Sequence, residues 1–527
     1  MKEDPHQQKK KVIEFFLNKQ ILLSADMVEL LEREGEAEKV YAALSGKASP
    51  AQLLVLYPDL KDALSKEGKL DINWADLEEA KALAERGKNP KLYSRFIDYL
   101  KEDTPAAKKP NPVEVIYSFE EDSRKRDVQD FIDYFNARYR GLSQILETRQ
   151  ELANATAIGR VLQKRERESV AIIGMIVEKS VTKNGNMVLS LEDPSGIIKV
   201  IVNKNKPELF ALSQTIVLDE VIGIVGFNGD KVVFATNIIW PDILRRDIKK
   251  SKEDVYAILL SDLHVGSNKF LLDGFEKFLR WLNLEEGNDK QREIATKVRY
   301  LIIAGDLVDG CNIYPEQDKE LLIKDVSEQY KECARLLSKI PLHISVIVCP
   351  GNHDAMRVAE PQPPLYKDFA GDLYKIPNIT FVSNPALVRI HASETFSGFD
   401  LLLYHGYSFD YLVANVDDIR NHGGYNRADI IMAFLLKRRH LAPSHTSTLY
   451  IPFKDIDPLL ISHVPDFLIT GHIHKSAVAH YKNITTICGS CWQAKTAFQE
   501  KVGHNPEPGR VPAVNLNTRE VKVLKFI

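Results

Sequence analysis

In the C-terminal half of the chain, short apolar runs each break off at a small or turn-forming residue and then present acids or histidines. They read "VYAILLSDLH" from Val255, "YLIIAGD" from Tyr300, "ISVIVCPGNHD" from Ile344, "DLLLYHG" from Asp400 and "DFLITGHIH" from Asp466. Runs this continuous predict strands buried on both faces, as in a layered α/β domain. Sheets of that kind collect ligand sites beyond the carboxyl ends of their strands. The residues that follow the runs are therefore expected to converge in one crevice: Asp262, His264, Asp306, Asn352, His353, His405, His472 and His474. Glycines at 305, 351, 406 and 471 would let the backbone turn there without a Cβ clash.

These side chains offer hard oxygen and imidazole, with no thiolate among them. That mix suits divalent manganese, iron or zinc, with magnesium as a further occupant, better than a structural zinc. Leaving His353 aside, seven candidate ligands are too many for one ion. They suit two ions about 4 Å apart that share a bridging carboxylate, a pair able to ionise water at neutral pH and neutralise charge on a phosphate. Each motif has a plainer reading on its own, "GNHD" as a turn and "GHIH" as chance. Five motifs in this order leave little room for coincidence.

At 527 residues the chain exceeds one ordinary core, and 44% hydrophobic with 27% charged residues is a globular composition. A net charge of -3 excludes a globally basic nucleic-acid coat but permits a local basic groove. The five cysteines are odd in number, and Cys488 and Cys491 lack a second pair, so neither a disulfide framework nor a structural zinc is expected. No apolar run approaches the length of a membrane span and the first residues lack a signal-peptide core, so a cytoplasmic protein is expected.

The fold class expected is multidomain α/β. Residues 1–100 read as a small helical interaction domain, with Val12, Phe15 and Phe16, then Val28, Leu30 and Leu31, at three-to-four spacing. Residues 101–126, rich in proline and charge, read as a linker. Residues 127–168 read as a connecting helix with Phe131, Phe135, Tyr139, Leu142 and Leu146 on one stripe. Period-two patterning over 169–240, with turns at Asn184-Gly185 and Asn228-Gly229, predicts a small Greek-key barrel of OB type. Of its aromatics Phe210, Phe227 and Phe234, at least two are expected in the core, with strand contact by the barrel an even proposition. Residues 241–254 read as a polar hinge and 255–527 as the layered α/β domain.

The ordered set "SDLHVGS", "GDLVDG", "GNHD", "YHGYS" and "GHIHK" resembles the calcineurin-like metallophosphoesterase superfamily. The resemblance implies that Asp262, His264, Asp306 and His474 hold one metal, with Asp306 bridging, and that Asn352, His405 and His472 complete the second site. His353 would be the histidine that protonates the leaving oxygen. Protein Ser/Thr phosphatases carry "GDxVDRG" and "GNHE", whereas here Cys311 follows "GDLVDG" and Asp354 follows "GNH".

The order of helices, barrel and phosphoesterase is similar to the small subunits of archaeal family D DNA polymerases. So are "RVLQKRERESVAIIGMI", "YHGYSFDYL" and "GSCWQAKTAFQEKVGHNPEPGRVPAVNLNT". That family implies a 3′-to-5′ exonuclease acting on single-stranded or mismatched primer ends, with a large polymerase subunit and DNA as partners. Polymerase activity would belong to the complex, and a free-standing repair nuclease or a non-catalytic scaffold subunit are the competing functions. Lys437, Arg438 and Arg439 read as a solvated helix face before they read as phosphate contacts. Gly423-Gly424 and Tyr425 mark a loop that could face substrate.

Overall fold

A computed structural model describes residues 112–120, 124–501 and 503–527, together with residues 12, 13, 15, 16, 22, 23, 51, 52, 55, 56, 64 and 65. The chain separates into two compact units, Met1–Lys108 and Lys109–Ile527. In the first, Val12–Ile13 and Phe15–Phe16 are helical, and the two phenylalanine rings meet edge to face at 5.3 Å. Leu22–Leu23 pairs in parallel with Val55–Leu56, and Ala51–Gln52 pairs antiparallel with Leu64–Ser65. These short pairings depart from the expectation of helices alone, because two-residue bridges leave no periodic signature in the sequence. Val28, Leu30 and Leu31 lie outside the described residues.

The second unit contains two six-stranded sheets and a closed five-stranded barrel. One sheet runs in the order Ile379–Phe381, Ser345–Cys349, Val298–Ala304, Tyr256–Leu260, Arg510–Asn515, Val521–Lys525. Its first four strands are parallel and its last two antiparallel. The other runs Ala477–Tyr481, Ile484–Cys488, Phe467–Thr470, Phe399–Leu403, Ala386–Ile390, Val113–Ser118. Inner faces of both sheets share one core, in which Leu259, Ile302 and Ile347 pack with Val388, Leu401 and Ile469. Helices Leu272–Leu282 and Val326–Leu337 cover the outer face of the first sheet, and helix Ala428–Arg438 covers that of the second. Each apolar run is thus a strand buried from both sides, as its sequence demands. The runs are shared between two sheets, a division the sequence leaves open because an apolar run does not say which neighbour it pairs with.

Strand Val113–Ser118 lies within the segment expected to be a linker, where it pairs antiparallel with Ala386–Ile390 at the edge of the second sheet. "VEVIYS" is β-branched and aromatic enough to form a strand, a signal masked by the prolines before it. Helix Val128–Glu147 begins at a capping box in which Asp127 and Asp130 serve each other's backbone N–H groups. Its buried side is rotated from the expected stripe. Tyr134, Arg138, Leu142 and Leu146 face inward, while Phe131 is exposed.

The barrel comprises Ser169–Val181, Met187–Asp193, Gly196–Val202, Val221–Asn228 and Val232–Ile239. Alternation turns Val233 and Ala235 into its core and Phe234 outward, opposite the equally exposed Phe227. Only Phe210 of the three barrel aromatics packs against the core, which corrects the expectation for the other two. The segment 241–254 has no regular structure but is no free hinge. Ile243 is buried, and Arg246 and Lys249 both pair with Asp466.

The run Lys437, Arg438 and Arg439 is also not a solvated face. Arg438, 2% exposed, lies with its Nε 2.8 Å from Glu220 of the barrel and donates Nη2–H to the Thr215 carbonyl. Trp240 donates its indole N–H to the same Glu220, and the Lys437 ammonium sits 4.0 Å from the Trp240 ring centre. Arg439 donates to the carbonyls of Ile461 and Ser462. Arg438 and Lys437 thus join the barrel to the two-sheet domain, while Arg439 is held within that domain at the wall of a cavity it shares with Arg149 and Arg246. Among the described residues no helix is long and apolar enough to cross a membrane.

Candidate metal centre

The parallel ladder between Tyr256–Leu260 and Val298–Ala304 continues past the strands. Asp262 N–H donates to the Gly305 carbonyl and His264 N–H to that of Asp306. In the second sheet, Gly471 N–H donates to the His405 carbonyl in the same manner. The two sets of loops then meet. His472 N–H donates to the Asp262 carboxylate, and His405 Nδ1 lies 2.8 Å from the Ala304 carbonyl. All eight residues expected at the site come together at these strand ends.

Five of them carry backbone strain. Asp262, His264, Asp306, His472 and His474 have φ between 52° and 72°, a region that costs non-glycine residues on the order of 1–3 kcal/mol each. Gly305 makes the turn expected of it, with φ 88°. Gly351 is needed for closeness instead, because a Cβ there would lie 2.2 Å from Asp306 Oδ1.

Among the described residues, three groups of side chains are close enough to share an ion. They are Asp262, His264 and His474; Asp306, His405 and His472; and His264, Asp306 and His353. His264 and His474 face each other through their Nε2 atoms at 3.0 Å, with Asp262 Oδ1 within 4.0 Å of both. Asp306 Oδ1 accepts the His353 backbone N–H, which leaves Oδ2 placed 3.8 Å from His264 Nε2 and 3.2 Å from His405 Nε2. Asp306, itself in the second group, therefore also reaches His264 of the first, where a bridging ligand would be. Asn352 Oδ1 is 3.0 Å from His405 Nε2.

The donor set fits divalent cations. The Ala304 carbonyl can only accept, so it fixes the proton of neutral His405 on Nδ1. The Nε2 lone pair then meets two further acceptors, Asp306 Oδ2 and Asn352 Oδ1. Acceptors in such contact call for a positive charge. Burial opposes protonation of His405, but Asp306 and Asp262 drive its pKa up to about 10. Burial likewise opposes ionisation of Asp306, yet His405 and His353 hold its carboxyl well below the usual range.

A ring of supporting residues went unread in the sequence. Asp309, the second acid of "GDLVDG", bonds His264 Nδ1 through Oδ1 and accepts from the Gln493 and Gln317 amides. Asp410 meets His472 Nε2 at 3.0 Å and accepts the Tyr425 hydroxyl, which puts the glycine-flanked loop at the site. The Gln499 amide lies 2.9 Å from His474 Nδ1. Such partners fix ring orientation in metal sites. Asp354 accepts from the backbone N–H of Gly351 and Asp306 and from the Tyr330 hydroxyl, tying the "GNHD" turn to the Asp306 loop. The acids in "GDLVDG" and "SFDYL" were visible signals, whereas Gln499 carries none. All five cysteines are free thiols.

A family model describing the B subunits of DNA polymerases alpha and epsilon matches residues 257–479, a span holding all eight candidate residues. The chain is 38% identical over 453 residues to the DNA polymerase II small subunit of Methanothermobacter thermautotrophicus, across 84% of this chain and 91% of that one. It is 38% identical over 403 residues to the DNA polymerase II small subunit of Archaeoglobus fulgidus, covering 76% of this chain and 78% of the relative. Against that of Pyrococcus abyssi it is 38% identical over 403 residues, but spans only 63% of the relative's length.

Proposed function

This chain belongs to the family of DNA polymerase II small subunits, and from that premise we propose that it is a two-cation 3′-to-5′ exonuclease. It would trim single-stranded or mismatched primer ends beside a large subunit that carries DNA synthesis. The two stacked sheets are read as a calcineurin-like phosphoesterase domain, and the five-stranded barrel as one of OB type. The observation that carries the proposal is Asp306 reaching from its own ligand triad to His264 of the other, with the His353 ring beside that histidine. The polarity of digestion follows the family resemblance.

Two divalent cations, manganese foremost, would be held by Asp262, His264 and His474 and by His405, His472 and Asn352, with Asp306 shared. When bound they supply charge neutralisation at the phosphate and a lowered pKa for water. The chain's own residues do the rest. The Asp309 carbonyl, 2.8 Å from His353 Nδ1, keeps a proton on that nitrogen and leaves Nε2 to exchange protons with substrate. Water oxygen joins phosphorus as the bond to the 3′ oxygen breaks. Protonated His353 passes its Nε2 proton to that oxygen, the attacking water gives up its proton to solvent, and solvent returns a proton to His353. A 5′-mononucleotide leaves, and the strand, one residue shorter, regains a 3′ hydroxyl. Asp309 and Asp410 orient His264 and His472 throughout.

Purified chain with Mn²⁺ and a labelled 3′-mismatched primer should give products shortened from the 3′ end, and chelation should stop the digestion. His353→Ala should lower turnover by about 10²–10⁴-fold while metal analysis finds the cations retained. Undiminished turnover in that variant removes its role. Wild-type protein that digests nothing with Mn²⁺ removes the nuclease assignment and leaves a scaffold subunit. Co-purification with a large polymerase subunit distinguishes a replicative subunit from a free-standing nuclease.

A further inference from the structure

On the His353 side of the centre an aromatic pair stands that none of the roles above uses. Phe498 stacks on Tyr314 with ring centres 5.3 Å apart and planes 25° from parallel, and Tyr314 lies 6.2 Å from the His353 ring. Phe498 is 41% exposed, so one face of the stack is open to solvent. The pair is held rigidly. One carboxylate, Glu320, accepts the Tyr314 hydroxyl at 3.0 Å and the Ala497 backbone N–H at 2.9 Å, fastening the ring and the helix Ala497–Lys501 together. The next residue of that helix, Gln499, grips His474 Nδ1. The stack is thereby tied through Gln499 to the ligand His474 and stands with Tyr314 beside His353. Exposed Lys495 and Lys501 bracket Phe498 along the chain.

We propose that Phe498 and Tyr314 form a stacking seat for a nucleobase next to the scissile phosphate. This rests on the nuclease assignment above. An exposed flat ring, backed by a second ring, is what single-stranded nucleic acid recognises without regard to base identity. Its place beside His353 selects which base. His353 serves the departing 3′ oxygen, and that oxygen belongs to the penultimate nucleotide, the one that stays with the strand. The seat therefore takes the penultimate base. A base paired in a duplex cannot reach such a surface, so the seat admits frayed or mismatched ends over paired ones.

The test uses the full chain with Mn²⁺ and first-cleavage rates on three single strands: natural, abasic at the penultimate position, and abasic at the terminal position. For wild type, the penultimate abasic residue should lower kcat/KM by about tenfold, the contribution typical of one stacked base, and the terminal one by much less. Phe498→Ala leaves no cavity because the ring is exposed. It should lower kcat/KM on the natural strand by about tenfold, chiefly through KM, and bring the natural-to-penultimate-abasic ratio close to one. An equal loss on all three strands, or no loss, overturns the seat. If the wild type cleaves none of them, the nuclease assignment fails, and 2-aminopurine at the penultimate position decides the seat by itself. Quenching by wild type that is lost in Phe498→Ala supports it; quenching unchanged in the variant, or absent from both proteins, overturns it.

Discussion

At Asp306 and at Asp457 a buried carboxylate is surrounded by imidazole and main-chain groups, and the two surroundings end in opposite states. Asp457 accepts from Arg138 Nε and His440 Nε2, each at 2.7 Å, and from the Leu459 backbone N–H. The Ala442 N–H donates to His440 Nδ1, so that ring presents its proton to Asp457. Arg138, 1% exposed, directs its other donors to the Pro443 carbonyl and the Tyr134 hydroxyl. The Asp457 carboxylate thus holds both the Arg138 and His440 side chains by hydrogen bonds, and the network seats helix Val128–Glu147 on the two-sheet domain. Around Asp306 the ring protons point away, at Ala304 and Asp309, and lone pairs point inward. Both carboxylates are buried beside histidine, but Asp457 also has the Arg138 guanidinium against it, whereas Asp306 is met by histidines and main-chain groups. The structural cluster carries its own cation and inward-facing donors; the ligand site turns lone pairs inward and leaves the cation to be supplied.

Breaking each cluster at its carboxylate should therefore have different consequences. Asp306→Asn should reduce Mn²⁺-dependent digestion to below about a thousandth and leave thermal unfolding of the metal-free chain nearly unchanged; a large fall in Tm would show that Asp306 holds the fold. Asp457→Asn should do the reverse. Leaving the Arg138 charge unpaired should cost about 3–5 kcal/mol, read from denaturant unfolding, while activity per folded molecule stays within about twofold of wild type.

Glu360 sharpens the contrast as a third solution, a buried acid served by neutral donors. Tyr404 and Asn384 donate to it, and burial pushes its pKa from 4.5 up to about 7. A carboxyl whose pKa is higher when folded stabilises below the unfolded value, and that contribution is lost as pH rises through the folded one. Between pH 4.5 and about 7, metal-free chain should therefore lose up to about 3 kcal/mol from this group. Glu360→Gln should flatten that slope in unfolding titrations, and an unchanged slope would place the titration elsewhere. The smallest effect is expected at Asp410→Asn, which loosens His472 without removing a ligand. Cation affinity should weaken about 10–100-fold in equilibrium titration, with the fold intact; wild-type affinity would make Asp410 a bystander.

The strands and their terminal residues were legible because an apolar run and a motif are both local. "VYAILLSDLH" and "DFLITGHIH" state a strand, its end and its cargo within ten residues. Pairing partners are not local, so nothing in those runs reveals two sheets in place of one. The supporting ring is partly readable, since Asp309 and Asp410 sit inside recognisable motifs, but their targets His264 and His472 are 45 and 62 residues away. Arg438 was misread for a related reason. A charge run suggests solvent until Glu220, distant in sequence, arrives to neutralise it.

The edge strand Val113–Ser118 has a bearing on the order in which the molecule can assemble. Its partner Ala386–Ile390 comes some 270 residues later, and the last strand of their sheet to be made is Ile484–Cys488. The barrel draws all its strands from Ser169–Ile239. During synthesis the barrel can close while the first strand of the domain around it still waits for its neighbour, because contacts distant along the chain form late. The ribosome must deliver most of this protein before the edge that opens the domain can be sealed.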